Sequence, residues 1–160
     1  MSFAIREATE ADLELIEELI RALADYERLA HEVVMDAAAL RRGLFGERRY
    51  AEVLIGEEDG RAAGFALFFH NFSTFLGRPG IYLEDLFVRP EERGKGYGRA
   101  LLQRLAEIAV ERGCGRLEWA VLDWNQPAIG FYRRLGARPN DDWTVYRLAG
   151  DELNQLAGRP

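Results

Sequence analysis

Along residues 81–112 a strand-like run passes into a helix through a glycine-rich connection, Arg93-Gly94-Lys95-Gly96-Tyr97-Gly98. Ile81 to Val88 reads as a strand and is stopped by Pro90. From Gly96 to Arg112, Leu101, Leu105 and Ile108 with Leu102, Ala106 and Ala109 form a broad apolar stripe at helical spacing, and Gly113 and Gly115 end it. The alternating glycines let the backbone fold tightly and turn its N–H groups toward one point. The helix start behind them adds its dipole, so the connection suits a phosphate or pyrophosphate, with Arg93 and Lys95 as mobile positive charge at the rim. A dinucleotide fingerprint, G-x-G-x-x-G, fails because Arg99 follows Gly98 and the third glycine falls one place early. The nucleoside-triphosphate loop G-x-x-x-x-G-K-[ST] has no match either. What is present is R-x-x-G-x-G after a strand that ends in Pro; the bland reading is a glycine turn that merely starts a helix.

The remaining pattern fits one domain spanning residues 1–160, without repeats, low-complexity stretches or Ser/Pro-rich linkers. Residues 3–7 read as a short strand, and Thr9 to Asp12 resembles a capping box opening a helix over about 10–29, with Leu13, Ile16, Ile20 and Leu23 on one face. A shorter helix is expected over 36–45. Strands over 50–56 and 62–70 are joined by Glu58-Asp59-Gly60, a hairpin signal. Leu117–Leu122 reads as a strand, Pro127–Leu135 as a helix and Thr144–Leu148 as a last strand. The order β-α-α-β-β-β-α-β-α-β implies an antiparallel first half and a parallel crossover in the second. The expected fold is α/β: a mixed, mostly antiparallel sheet covered by helices.

Composition narrows the classes of function. Hydrophobic residues at 48% and charged residues at 30% belong to a globular domain. A net charge of −6 argues against nucleic acid and suits a cationic ligand. No apolar run approaches the ~20 residues of a membrane span. The N-terminus lacks the basic start and apolar core of a signal peptide, and the single Cys114 fits a reducing compartment, so cytoplasm is the expectation. Cys114 lies between glycines with no His nearby in sequence and reads as structural; His31 and His70 form no pair at metal-ligand spacing, and no metal site is expected.

A second string, Trp124 to Ala137, carries an Asn that opens a helix with a Phe-Tyr pair and a closing Gly. Asn125 can cap that helix with its side-chain oxygen, and Pro127 occupies the first turn, where its missing N–H costs nothing. Tyr132 follows Asn125 by about two turns, on the same face. Together the glycine loop and this string resemble the two signatures of the GNAT superfamily of N-acetyltransferases. With Tyr82 to Val88, Leu122 to Pro127 and Asp25-Tyr26-Glu27, the chain is similar over nearly its whole length to the spermidine/spermine branch, which includes the thialysine acetyltransferases.

The resemblance implies a splayed parallel strand pair at the cofactor site, acetyl-CoA as cosubstrate and direct transfer in a ternary complex. It assigns the cosubstrate to Leu86, Phe87 and Val88, to Arg93, Gly94, Lys95, Gly96, Tyr97, Gly98 and Arg99, and to Asn125, Gln126, Pro127 and Ala128. It also implies a homodimer whose subunits share the acceptor site. An alkyl ammonium of pKa about 10.4 must lose a proton before it attacks, at about 4–5 kcal/mol at pH 7. A base, usually acting through water, and an acid for the departing thiolate are therefore expected. Glu84 is the candidate base; a regular strand puts Tyr82, Leu86 and Val88 on its face and Asp85 on the other, whereas the resemblance implies a bulge there. Tyr132 is the candidate acid; the bland readings are a paired strand carboxylate and a core tyrosine. For the acceptor the resemblance points to Tyr26, Glu27, Asp85, Glu118, Trp119, Ala120 and Trp143, aromatic and acidic groups that suit an ammonium. One departure is Phe72-Ser73-Thr74-Phe75, where polyamine acetyltransferases carry an Asp before a tryptophan. Its loss weakens the case for a long polycation and puts a shorter amine on at least an equal footing, so the expected acceptor is a diamine, a polyamine or a thialysine-like amino acid. Acetylation of protein amines and a non-catalytic coenzyme A-binding module are the competing functions.

Overall fold

The computed structural model describes residues 2–159. They fall into two compact units, divided between Leu122 and Asp123. The first holds a five-stranded sheet in sequence order: β1 (Phe3–Glu7), β2 (Glu52–Glu58), β3 (Arg61–Ser73), β4 (Arg78–Val88) and β5 (Leu117–Trp119). The first three pairings are antiparallel and the last, β4 with β5, is parallel. The β2–β3 hairpin turns on Asp59 and Gly60, both at positive φ, as a two-residue turn between right-twisted strands requires.

Helices cover both faces. On one, Ile16, Leu19 and Leu23 of α1 (Leu13–Tyr26) and Leu44 of α2 (Ala37–Phe45) pack against Val53, Ile55, Phe65, Leu67 and Phe87. On the other, α3 (Tyr97–Glu111) packs on β2, β3 and β4 through buried Leu101, Leu105 and Ile108. Fully burying each such side chain stabilises the fold by about 1.5–3 kcal/mol. A 3-10 turn, Glu10–Asp12, leads into α1. There the Asp12 carboxylate accepts from the Thr9 N–H at 2.7 Å, the acidic half of the expected capping box. Arg6 grips the same carboxylate through both terminal nitrogens at 2.8 Å and Glu57 through Nε at 2.9 Å. Arg6 holds the Asp12 carboxyl at about 2 and ties β1 to the start of α1. Among the described residues no helix is long and apolar enough to cross a membrane.

The second unit contains α4 (Gln126–Arg134) and α5 (Gly150–Leu156). Asn125 Oδ1 accepts from the Ala128 N–H at 3.4 Å, so the expected cap is formed. The helix ends on Gly136 at φ 92, with Gly136 N–H to Arg133 O at 3.0 Å and Ala137 N–H to Tyr132 O at 3.2 Å.

Two expectations need correction, and one helix lay outside them. Residues 144–148 are irregular, because a strand needs a neighbour's edge for its N–H and C=O groups and no ladder reaches them. β5 stops at Trp119 instead of reaching Leu122. α5 was not foreseen: it is only 7 residues long and no side chain caps its start.

Candidate active site

β4 supplies the candidate residues Glu84 to Val88. Phe68 of β3 pairs with Leu83, but the next residue back, Leu67, pairs with Asp85, so Glu84 is an extra residue with no partner on β3. The bulge re-aims the strand. Cross-strand partners share a face, so Leu83 and Leu86 point with Phe68 and Ala66 toward α3, whereas Asp85 and Phe87 point with Leu67 and Phe65 toward α1. Tyr82 lies beside Phe69, 5.3 Å between rings, on the α1 side. The regular-strand expectation, with Tyr82, Glu84, Leu86 and Val88 on one face, is therefore wrong; the bulge implied by the resemblance is present.

Three carboxylates converge electrostatically at this bulge. Glu84 is exposed, and Glu27 is the C-cap residue of α1, after which Arg28 takes a left-handed φ of 62 and ends the helix. Burial, then Glu84 and Glu27, push the Asp85 carboxyl up to about 7. Burial and then Glu84 raise Glu27, and burial, Glu84 and Glu118 raise the Tyr82 phenol. Like charges that resist joint ionisation form a site that a cation relieves. On β5, Glu118 lies across from Tyr82 and accepts from Asn71 Nδ2 at 3.3 Å, while Trp119 lies across from Leu83 and Ala120 follows the strand end.

The β4–β5 ladder ends at Leu83 and Trp119, while β4 runs on to Val88. Arg89 N–H bonds Ala63 O at 2.8 Å; by antiparallel alternation the Leu86 and Val88 N–H groups point to the side where β5 has stopped. Beyond Val88, Gly94 and Gly96 adopt φ of 82 and 84, the left-handed region that glycine enters freely. Nothing lies within 4 Å of where their side chains would be, and Gly98 is already helical. The first bond of α3 runs from Ala100 N–H to Gly96 O at 3.0 Å. The N–H groups of Tyr97, Gly98 and Arg99 therefore precede the helical ladder, as donors suited to an anion. An open glycine cradle backed by these donors fits a pyrophosphate.

Neither rim cation is mobile, contrary to expectation. Arg93 Nε donates to Val88 O at 2.9 Å, and its guanidinium lies 4.8 Å from the Tyr26 ring centre and 5.5 Å from that of Phe87. Lys95 Nζ is bonded to Glu58 and Glu92. Tyr97 is buried, its ring stacked on Phe3, so only its backbone faces the loop.

In the second unit, Asn125, Gln126, Pro127 and Ala128 form the cap and first turn of α4, and Tyr132 is half-buried near its end. Trp143 lies on the irregular segment and is 73% exposed. Sequence reasoning missed Asn71 and Glu58. Nothing local marks Asn71, whereas the acidic doublet Glu57-Glu58 at a hairpin was a signal read only as a turn.

The family model described as "Acetyltransferase (GNAT) family" matches residues 13–137, more than half of the chain. The chain belongs to the GNAT acetyltransferase family. It is also similar to the thialysine N-epsilon-acetyltransferase of Sus scrofa, at 40% identity over 99% of each chain. It is 34% identical to an L-ornithine N5-acetyltransferase of Arabidopsis thaliana, over 95% of this chain and 86% of the other. Among solved structures, an integron cassette protein from the mobile metagenome of V. cholerae superposes with a TM-score of 0.82 at 30% identity, covering 98% of both chains. This GNAT protein is an acyltransferase, and its fold serves acetyl transfer to an amine.

Proposed function

We propose that the protein transfers the acetyl group of acetyl-CoA to the terminal amine of a small cationic acceptor, a diamine or a thialysine-like amino acid. The observation that carries this is the carboxylate cluster that Glu27, at the end of α1, forms with Glu84 and Asp85 of β4, the strand that runs into the glycine loop. The names of the thialysine and ornithine acetyltransferase relatives support an amino-acid side-chain amine as acceptor.

Acetyl-CoA, when bound, supplies the thioester that is attacked. Tyr97 to Arg99 and Gly94 to Gly98 would hold its pyrophosphate through backbone N–H groups; Leu86 and Val88 would hold its pantetheine arm, and the first turn of α4 adds further donors. Glu27 and Asp85 draw in the ammonium, and Tyr26 offers a ring face. Glu84, the exposed member of the cluster, takes the amine proton through water, and Tyr132 gives a proton to the departing thiolate. We read residues 1–160 as one domain, since the family match runs through the junction at Leu122. We further propose a homodimer, supported by the exposed Trp143, Val145 and Tyr146, and a cytoplasmic location.

The test is thiol release from acetyl-CoA with a panel of thialysine, lysine, ornithine, diamines, spermidine and an N-terminal peptide. Acetylation of a short amine with the highest kcat/KM supports the reading. Preference for the peptide, or no turnover with any amine, overturns it.

A further inference from the structure

The acid at the end of β2 plays no part in the chemistry above, yet it is one of the most deeply buried charges in the protein. Glu58 is 2% exposed and lies on the α3 side of the sheet, across from Phe3 of β1. A buried carboxylate is costly unless charge and hydrogen bonds compensate it. Here the charge and hydroxyl partners come from the glycine loop. Lys95 Nζ sits 3.0 and 3.3 Å from the two carboxylate oxygens, and the Tyr97 hydroxyl donates to Oε1. Lys95 is held a second time by Glu92 at 2.7 Å. The Tyr97 ring is fixed by stacking on Phe3, centroids 3.9 Å apart and planes at 7°.

These two partners flank Gly96, the left-handed residue on which the chain enters α3. Clamping residues 95 and 97 to β2 leaves the peptide between them little freedom, so the N–H groups that follow are aimed before any ligand arrives. Preorganised donors bind an anion better than donors that must first be ordered. The same bonds turn the Lys95 ammonium inward, between two carboxylates.

We propose that Glu58 is a positioning residue for acetyl-CoA: through Lys95 and Tyr97 it fixes the loop that receives the pyrophosphate, and Lys95 shapes that loop without binding phosphate itself. The inference rests on the acetyl-CoA reading of the loop. Lys95 and Tyr97 here act on the cosubstrate only through the backbone they hold.

Calorimetric titration with coenzyme A of the wild type, Glu58→Gln, Lys95→Met and the double variant tests it. Glu58→Gln should weaken binding about tenfold, the worth of one charge-assisted hydrogen bond. It should raise KM for acetyl-CoA while leaving kcat at saturation within about threefold. Lys95→Met should weaken binding comparably in the wild type and change little in the Glu58→Gln background. Equal losses from Lys95→Met in both backgrounds would mean that Lys95 touches the phosphate, and would overturn the proposal. So would unchanged affinity in Glu58→Gln. If Glu58→Gln does not fold, Tyr97→Phe keeps the ring stack and removes only the hydroxyl; it must then show the same split between KM and kcat, and unchanged KM overturns the proposal. A wild type that binds no coenzyme A overturns the acetyl-CoA reading as well, which separates the two failures.

Discussion

Tyr132 closes α4 with its carbonyl, accepting from Ala137 N–H at 3.2 Å, and its ring lies 5.6 Å from that of Phe131. Tyr132→Phe keeps the ring and the helix end and deletes one proton. If that proton goes to the thiolate, pre-steady-state acetyl transfer falls by roughly 10²–10⁴ while acetyl-CoA affinity is unchanged. Transfer within a few-fold of wild type would make Tyr132 a packing residue. Asp85 yields a second prediction. Burial, then Glu84 and Glu27, push its carboxyl from the ordinary aspartate range up to about 7, so the folded state keeps a proton that the unfolded chain has lost. Stability therefore falls as pH rises from about 4 through 7. Asp85→Asn removes that slope, and its melting temperature should exceed the wild type's by several degrees at pH 8 and much less at pH 5. Equal differences at both pH values would refute the assignment. Glu84, Asp85 and Tyr132 were singled out in the sequence because resemblance fixed their positions along the chain. The orientations at the bulge were legible only through that resemblance, since period-two reasoning cannot see an extra residue. Glu58 and Asn71 were not legible, because their partners are 37 and 47 residues away.

At the scale of elements, the glycine loop and its two neighbours decide whether the cosubstrate site exists. Gly96 has φ 84 and empty space where a side chain would stand, so a substitution there meets backbone strain and no clash. Gly96→Val should cost about 1–2 kcal/mol in folding, leave the protein folded, and abolish measurable coenzyme A binding by calorimetry. Undiminished affinity in the folded variant would remove the loop from the site. The helices here were readable because stripe, cap and stop agree locally: Asp36 caps α2 through Ala39 N–H at 2.8 Å, and Gly136 ends α4. Segment 144–148 was misread because alternation reports what a strand would look like, whereas pairing depends on an edge being within reach.

For the whole molecule, the exposed apolar side chains of Trp143, Val145 and Tyr146 lie together in sequence. A homodimer that covers them should sediment at about twice the 18.2 kDa of the chain at micromolar concentration. A Val145→Lys, Tyr146→Lys double variant should shift it to monomer, and a wild type that sediments as a monomer refutes the dimer. One feature of the sheet reaches further. β4 outruns β5 from Glu84 to Val88, and its Leu86 and Val88 amides face the side that β5 has left. Deuterium from the solvent should enter those two positions quickly, while the neighbouring Phe87 amide, turned toward β3, stays protected. Saturating coenzyme A should slow exchange at Leu86 and Val88 and leave Phe87 unchanged. The end of a strand ladder thus becomes a clock for cosubstrate residence, read one amide at a time.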